Sequence, residues 1–179
     1  YHVENIKITV NEINQADEIS FSYYREKESI SSPLFDRLDD LSVVLVDGYG
    51  YFEAAIEKNE NSSVTKSVTG ISLGHAELSQ ILTSLEINPA DNTEQYNYDQ
   101  QYPTVFYREP DITSDEETAK KYRESSLLHR VLSAAPHYRI GSVSKTLRQI
   151  QRTFSWSDTD ILSILNDISK EINCAFDIQ

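Results

Sequence analysis

The residues of this chain that could carry out chemistry are its four histidines, its single cysteine and a group of aspartates. The histidines are scattered at His2, His75, His129 and His137. None of them stands at metal-ligand spacing from another. Acid–base catalysis needs a histidine with a positioned partner, and the sequence identifies none for His129 beside the apolar face of its predicted helix. We therefore predict that His129 is a hydrogen-bonded edge or core residue.

Sequence signatures of enzymes are absent from the chain. It has no glycine-rich phosphate loop, no His-Glu-x-x-His zinc motif and no Gly-x-Ser-x-Gly nucleophile elbow. A carboxylate pair for glycoside hydrolysis stays open, because two acids that meet in space need not be close in sequence. The lone Cys174 excludes an intrachain disulfide, and its apolar neighbours predict a buried, inert thiol. We predict no enzymatic activity, no cofactor and no metal.

A cluster of aspartates is the remaining candidate for a metal site. Its members are Asp36, Asp39, Asp40 and Asp47. Their spacing does not match the regular ligand positions of a calcium loop. A solvated acidic turn is the better interpretation.

The eleven tyrosines are the most unusual feature of the composition. Tyrosine combines a rigid apolar ring with a hydrogen-bonding tip, which suits protein interfaces and sugar-binding surfaces, although many tyrosines simply fill β-strands. Several fall in Asn92–Tyr107, a polar stretch without helical or strand period. We predict that this arm contacts neighbouring copies, or else is a flexible surface loop. The candidate interface residues are Tyr96, Tyr98, Tyr102, Phe106 and Tyr107.

Alternation of apolar and polar residues, and a nearly continuous β-branched run at Leu41–Val46, predict β-strands through the first half of the chain. The predicted strands are Ile6–Val10, Ile19–Tyr23, Leu41–Val46, Tyr51–Ile56 and Val64–Thr69, the last ending at Gly70. The sequence Asp47-Gly48-Tyr49-Gly50 predicts a hairpin turn, because glycine supplies the positive φ that tight turns require. Between residues 72 and 88 we predict a short helical turn and then a strand.

The second half combines a polar connection with helices and short strands. Within residues 89–125 we predict a strand at Thr104–Tyr107, an acidic loop, and a helix capped by Thr113 or Ser114. A helix with an apolar face over Leu127–Ala135 stops at Pro136. The remaining predictions are strands at His137–Ile140 and Gln149–Phe154, a helix capped by Ser157 with its stripe over Ile161–Ile172, and a strand at Ala175–Ile178.

Length and charge limit the classes of protein that fit. The 179 residues suffice for one good core or two small ones, and the chain's 39% hydrophobic and 25% charged residues are typical of soluble domains. A net charge of −13 argues against ordinary nucleic-acid binding and suits a surface that repels DNA, or simply solubility. No stretch predicts a membrane helix or a signal peptide. Because the chain begins at Tyr1, we expect it to be a fragment of a longer protein.

Several short stretches occur in a recognisable order. The early ones are Leu41–Ile56 with its Gly-Tyr-Phe-Glu ending, Lys66–Gly70, Ala76–Gln80, Leu85–Asn88 and Tyr98–Tyr107. The clearest are Ser126–Leu132, Pro136–Val143, Gln151–Ser155 and Glu171–Asp177. From about Leu41 to Gln179 this order resembles the N-terminal baseplate-hub region of Gram-positive phage and prophage tail-tip proteins of the tail-endopeptidase or tail-associated-lysin type. The departures are an acidic Asp158-Thr159-Asp160 and the residues Asn166, Asp167 and Ser169 in place of a glutamate-rich run.

The resemblance implies an α+β protein with a β-rich, barrel-like hub domain followed by a smaller α+β domain. The implied domains are 1–90 for the hub, 91–125 for a polar arm, and 126–179 for an α+β domain truncated at its C-terminus. Three copies would form a ring at the virion tail tip, with the distal tail protein and the tape-measure protein as partners. The resemblance also implies synthesis in the bacterial cytoplasm from a prophage. Any peptidase or glycan-degrading activity would lie in further C-terminal regions.

Two other functions remain open from the sequence. A carbohydrate-binding module would recognise host cell-wall glycan through coplanar tyrosines. A peptidoglycan hydrolase would need catalytic groups that the sequence does not bring together. We expect no sequence-specific nucleic-acid binding and no direct membrane insertion.

Overall fold

The computed structural model describes residues 2–11, 14–25, 35, 37–57, 65–89, 103–109 and 115–178. The protein is α+β, as predicted, with a curled five-stranded antiparallel sheet, a two-stranded sheet and short helices. Its contacts divide the chain into unit 1, Tyr1–Glu77 with Ala175–Gln179, and unit 2, Leu78–Cys174. The domain bounds 1–90, 91–125 and 126–179 stay a prediction, since the contact units describe packing only and change at residue 78.

Unit 1 contains the five-stranded sheet, whose strand order is β1-β2-β5-β4-β3. The strands are β1 (His2–Thr9), β2 (Glu18–Tyr24), β3 (Val43–Val46), β4 (Gly50–Glu57) and β5 (Thr65–Ser72). Every neighbouring pair is antiparallel. The five predicted strands are confirmed, and β5 continues past Gly70 to Ser72.

A tight turn joins β3 to β4 at the predicted place. The Tyr49 amide donates to the Val46 carbonyl at 3.0 Å. Gly48 has φ +80° and Gly50 has φ +109°, values that residues with a Cβ rarely adopt. The glycines therefore set the hairpin register, which pairs Val46 with Gly50 and Leu45 with Tyr51.

The core of unit 1 lies on one face of the sheet. The buried apolar side chains of the three central strands are Ile19, Tyr23, Phe52, Ala54 and Val68. Burial of each of the larger side chains stabilises the fold by about 1.5–3 kcal/mol. Gly70 lies among them, and a Cβ there would be 2.9 Å from the Glu53 carbonyl oxygen and 3.0 Å from Ile19 Cγ2. The strands on either side of Gly70 thus approach too closely for any side chain.

Lys66 of β5 bonds to the backbone of Phe35 and Leu38. Its ammonium donates to the carbonyl of Phe35 at 2.5 Å and to that of Leu38 at 2.6 Å. The same ammonium lies 4.8 Å from the centroid of the Phe35 ring, and that ring stacks on Tyr23 at 5.5 Å. Since these contacts satisfy a half-buried charge, Lys66 adds to packing as well as to hydrogen bonding.

Unit 2 combines the small sheet with three of the four described helices. After α1 (Leu73–Leu78), its elements are β6 (Leu82–Ile87), α2 (Glu116–Glu124), α3 (Leu127–Leu132), β7 (Phe154–Asp160) and α4 (Ile161–Ile172). Strands β6 and β7 pair antiparallel, with an irregularity between Thr83 and Leu85. None of the helices in the described part of the chain is long and apolar enough to span a membrane.

The core of unit 2 forms around α3 and α4. Its most deeply buried apolar residues, each fully shielded from solvent, are Val131, Ala135, Ile161 and Ile164. The predicted helix is confirmed, but its buried face is Ile161, Ile164 and Ile168, whereas Leu162, Leu165 and Ile172 of the predicted stripe are only half-buried. The helix ends at Asn173, which adopts a left-handed conformation with φ +50°.

Two predicted strands between residues 137 and 154 are wrong. Residues 138–153 contain turns and irregular backbone, and the strand begins only at Phe154. Strand β7 exists because it pairs with β6, and the rings of Phe154 and Trp156 stack at 4.8 Å. The predicted strand at Thr104–Tyr107 is reduced to a single bridge between Val105 and Ser126.

Two helix starts also differ from the prediction. Ser157 lies inside β7, and Asp160 caps α4 by accepting a hydrogen bond from the Ser163 amide at 2.8 Å. Strand pairing with β6 extends as far as Asp160, which leaves Ser157 no capping position. Thr113 and Ser114 lie outside the described residues, and α2 is capped by Asp115, which accepts from the Thr118 amide at 2.8 Å.

The predicted strand at Ala175–Ile178 is absent, since residues 174–178 have no regular structure. Instead the Phe176 amide donates to Asn14 Oδ1 at 2.7 Å, within unit 1. A side-chain acceptor thus satisfies a backbone group that a neighbouring strand would otherwise have bonded.

Candidate functional site

Exposed apolar side chains are concentrated in unit 1. Among the described residues, every highly exposed large apolar side chain except Leu82 belongs to this unit. They are Val3, Ile6, Val10, Leu41, Val43, Leu45, Tyr49, Tyr51 and Ile71. Apolar side chains that gather on one part of a surface mark interaction sites, whereas singly scattered ones need no explanation. The sheet of unit 1 is therefore the candidate functional site.

Strand β3 forms one edge of this sheet. Within the described residues it pairs with β4 alone. Its four residues carry no charge, and Val43 and Leu45 are 55% and 63% exposed. Edge strands usually carry charges, prolines or bulges that prevent another strand from pairing with them. The stretch Val43–Val46 has none of these inside it, so its outer side can accept a further strand.

Leu41, two residues before β3, has a strained backbone conformation. The Leu41 amide donates to the Ala54 carbonyl at 2.7 Å, and the Ala54 amide donates to the Ser42 carbonyl at 2.8 Å. Two residues thus face one in a bulge, with Leu41 in the left-handed region at φ +65°. That conformation costs a residue with a Cβ roughly 1–2 kcal/mol. Its side chain is nevertheless 68% exposed, so the fold holds a large apolar group in solvent at a cost.

Strand β1 forms the opposite edge and differs in character. A bulge interrupts its pairing with β2 between Glu4 and Lys7, and Asn5 within it has φ +57°. Beyond the bulge the register is regular, with Lys7, Ile8 and Thr9 opposite Ser20, Ile19 and Glu18. The bulge therefore divides β1 into two short regular stretches, His2–Glu4 and Lys7–Thr9.

One face of the curled sheet carries an open groove of about 670 Å³. The groove is lined by side chains from β1, β2, β5 and β4, and by the bulge before β3. They include Lys7, Thr9, Glu53, Leu41 and Ile71. Since Val43 pairs with Glu53, the exposed side chains of β3 stand on this same face.

The structure describes only two of the five interface residues predicted from sequence. Tyr96, Tyr98 and Tyr102 lie outside the described residues. Phe106 and Tyr107 are only 6% and 7% exposed, so in this structure both contribute to the packing of unit 2. The Tyr107 ring stacks on His129 at 5.4 Å, and burial raises the pKa of its hydroxyl.

Sequence reasoning missed two serine–histidine pairs. Ser72 Oγ lies 2.9 Å from His75 Nδ1, and Ser126 Oγ lies 2.9 Å from His129 Nδ1. Each serine directly precedes a helix and each histidine follows three residues later, which is the spacing of a capping box. The repeated Ser-x-x-His was the signal that would have predicted them.

The geometry of these pairs fits helix starts better than nucleophilic catalysis. Ser126 is fully buried, so a substrate has no access to its hydroxyl. His75 Nε2 is buried without a hydrogen-bond partner among the described residues, whereas a catalytic histidine is oriented by a third group. Burial lowers the pKa of both histidines, which keeps their rings neutral. His129 is thus the hydrogen-bonded packing residue that the sequence predicts.

Asp39 and Asp40, which were considered as calcium ligands, make other contacts in the structure. Asp40 Oδ1 accepts from the Ile56 amide at 2.6 Å, and Asp39 lies 4.0 Å from the Lys66 ammonium. Asp36 falls outside the described residues, and within the described part of the chain no group of potential ligands could hold a metal ion. Cys174 is partly exposed, and desolvation raises the pKa of its thiol, which makes it less reactive.

No protein-family model, curated protein or solved structure matches the chain. The fold and the site therefore define its class through geometry alone: an α+β protein whose curled antiparallel sheet has two edge strands and an exposed apolar surface.

Proposed function

We propose that the protein is a structural component of a phage tail tip, a baseplate-hub subunit without catalytic activity of its own. The observation that carries this proposal is the open sheet of unit 1, which exposes apolar side chains at both edge strands. A curled sheet with two such edges leaves backbone groups and apolar area in water. Copies arranged in a ring would cover both, because each copy supplies one edge of either kind to its neighbours.

Two sequence features add support. The order of stretches from about Leu41 to Gln179 resembles tail-tip hub proteins, in which three such subunits form a ring of barrel-like domains. The net charge of −13 gives a surface that repels DNA, which a conduit for DNA requires. In this proposal the distal tail protein and the tape-measure protein are the partners, and the site of action is the virion tail tip.

The test is the mass of the assembled protein. Size-exclusion chromatography with light scattering, on this chain and on longer versions of it, is expected to give a trimer, with the distal tail protein added where necessary. Monomers under all of these conditions would exclude a hub. A zymogram on peptidoglycan is expected to stay blank, and clearing by this chain alone would identify a hydrolase instead.

A second candidate function is a carbohydrate-binding module for host cell-wall glycan. The observation that favours it is the exposure of Tyr49 and Tyr51 at the β3–β4 hairpin, 55% and 57%, because flat aromatic rings in solvent stack on sugars. Binding on a glycan array that disappears in Tyr49→Ala and Tyr51→Ala, or in the alanine variants of Tyr96, Tyr98 and Tyr102, would establish this function. No binding to any wall glycan would exclude it.

A further inference from the structure

The proposed ring does not by itself say which surfaces of two copies meet. Resting on the proposed function, we propose that β3 of one copy pairs antiparallel with the last stretch of β1, Lys7–Thr9, in the next copy. The occupant of the β3 edge is therefore a second copy of this chain, and the contact is head-to-tail. Only a head-to-tail contact closes into a ring of three.

The two segments are similar in length. Strand β3 has four residues, Val43–Val46. The bulge divides β1 into two stretches of regular register, His2–Glu4 and Lys7–Thr9, and only the first contains an acid, Glu4. Lys7–Thr9 is therefore the stretch that a strand bordered by acids can follow. Val10, directly after β1, is 66% exposed and brings apolar area to the contact.

Charge distinguishes the two possible partners of β3. The strand itself is neutral, but acidic residues stand at both of its ends, Asp40 on one side and Asp47 on the other. Two β3 strands paired with each other in antiparallel fashion would place these acids of one copy beside those of its neighbour. Like charges at close range destabilise such a pair. The stretch Lys7–Thr9 has one charge, the cation Lys7, which antiparallel pairing places at the end of β3 that carries Asp47.

The strained Leu41 belongs to the same contact. Its side chain lines the groove together with Lys7 and Thr9 of β1 in the same copy, and stands just before β3. A bulky residue held at positive φ with its side chain in solvent indicates a functional constraint. In the paired state Leu41 would be covered by the neighbouring copy, which removes its apolar surface from water.

The experiment exchanges the two charges. In the full chain at low ionic strength, Lys7→Glu alone and Asp47→Lys alone should each weaken association by about two- to fivefold per contact. The double variant should restore it. Sedimentation velocity over a range of protein concentrations measures the effect, and circular dichroism verifies that each variant is folded.

Other outcomes separate failure of this inference from failure of the hub. Trimers that are insensitive to both exchanges would overturn the β1–β3 contact and leave the hub intact. Asp47→Lys that strengthens association, with Lys7→Glu silent, would identify pairing between two β3 strands. A wild-type chain that is monomeric at every concentration, alone and with the distal tail protein, would overturn both proposals.

A matched pair of variants tests the edge itself. Leu45→Lys places a charge on the free edge and should reduce association by about tenfold or more. Leu82→Lys places the same charge on an equally exposed leucine of unit 2, outside the proposed contact, and should leave association unchanged. Equal losses in the two variants would mean that association depends on exposed apolar area in general, and would overturn the edge contact.

Discussion

Units 1 and 2 use their apolar residues in opposite ways. Unit 2 hides Val131, Ile161 and Ile164 completely, although its sheet has only two strands. Unit 1 has the larger sheet and yet holds nearly all of the exposed large apolar side chains among the described residues. A region that completes its own core needs no partner, whereas a region that leaves apolar edge strands in water gains from one. The contrast makes the sheet of unit 1 the candidate site for association.

The largest expected effect on this contrast is the loss of stability caused by a cavity in unit 2. Ile164→Ala removes a fully buried side chain of α4 and should lower the free energy of unfolding by about 2–5 kcal/mol. Leu45→Ala, at an exposed site of unit 1, should change it by less than about 0.5 kcal/mol in the monomer. Urea titration followed by the fluorescence of Trp156, the single tryptophan, measures the loss in unit 2. Equal losses would contradict the contrast.

The next effect concerns the buried face of the sheet in unit 1. Gly70→Ala introduces a Cβ at 2.9 Å from the Glu53 carbonyl oxygen, and backbone at that distance must shift. We expect a loss of about 1–3 kcal/mol in the free energy of unfolding, measured by circular dichroism in urea. The control is Gly141→Ala, where a Cβ would meet nothing within 4 Å. If both variants unfold at the same urea concentration, the close approach at Gly70 is not real.

A smaller effect, of opposite sign, is expected at the edge. Leu41→Gly relieves a left-handed conformation and should raise the free energy of unfolding of the monomer by about 0.5–1 kcal/mol. The same variant should weaken association, because the apolar group is lost. Thermal unfolding in dilute solution measures the first change and sedimentation the second. A variant that is both less stable and fully associated would remove Leu41 from the account.

The smallest effect is a pH dependence in unit 2. Burial lowers the folded-state pKa of His129 below its ordinary value of 6.5, and the nearby Arg123 lowers it further. Between the two pKa values the unfolded chain binds more protons. Stability is therefore constant above about pH 6.5 and falls as the pH drops through the folded-state pKa. His129→Gln should reduce the loss of thermal stability between pH 7.5 and pH 5. The exposed His137→Gln is the control, and identical slopes in wild type and His129→Gln would contradict the burial.

The sheet of unit 1 could be predicted from sequence because its signals are local. Apolar residues alternate along Ile6–Val10 and Ile19–Tyr23, Val43–Val46 is a continuous apolar run, and Gly48 with Gly50 mark the turn. Strand β7 could not be predicted, because Phe154–Asp160 is mostly polar and becomes a strand only by pairing with β6, far away in the chain. Because that pairing keeps Ser157 within the strand, the helix is capped by Asp160 and not by Ser157.

The candidate site was only partly visible in the sequence. The apolar run Val43–Val46 identifies Val43 and Leu45 as strand residues but does not say that their strand lies at an edge. The left-handed conformation of Leu41 is disfavoured for leucine, so only the surrounding hydrogen bonds of the bulge produce it. The interface predicted around Tyr96, Tyr98 and Tyr102 remains a prediction, while burial in unit 2 explains Phe106 and Tyr107.

The most direct test of the account is hydrogen–deuterium exchange of the chain in dilute and in concentrated solution. Amides of β3 and of the end of β1 should become protected as concentration rises, while those of α4 in unit 2 keep the same exchange rate. Edge amides that exchange equally fast at every concentration, with the distal tail protein present as well, would contradict the claim that copies of the chain complete the sheet of unit 1.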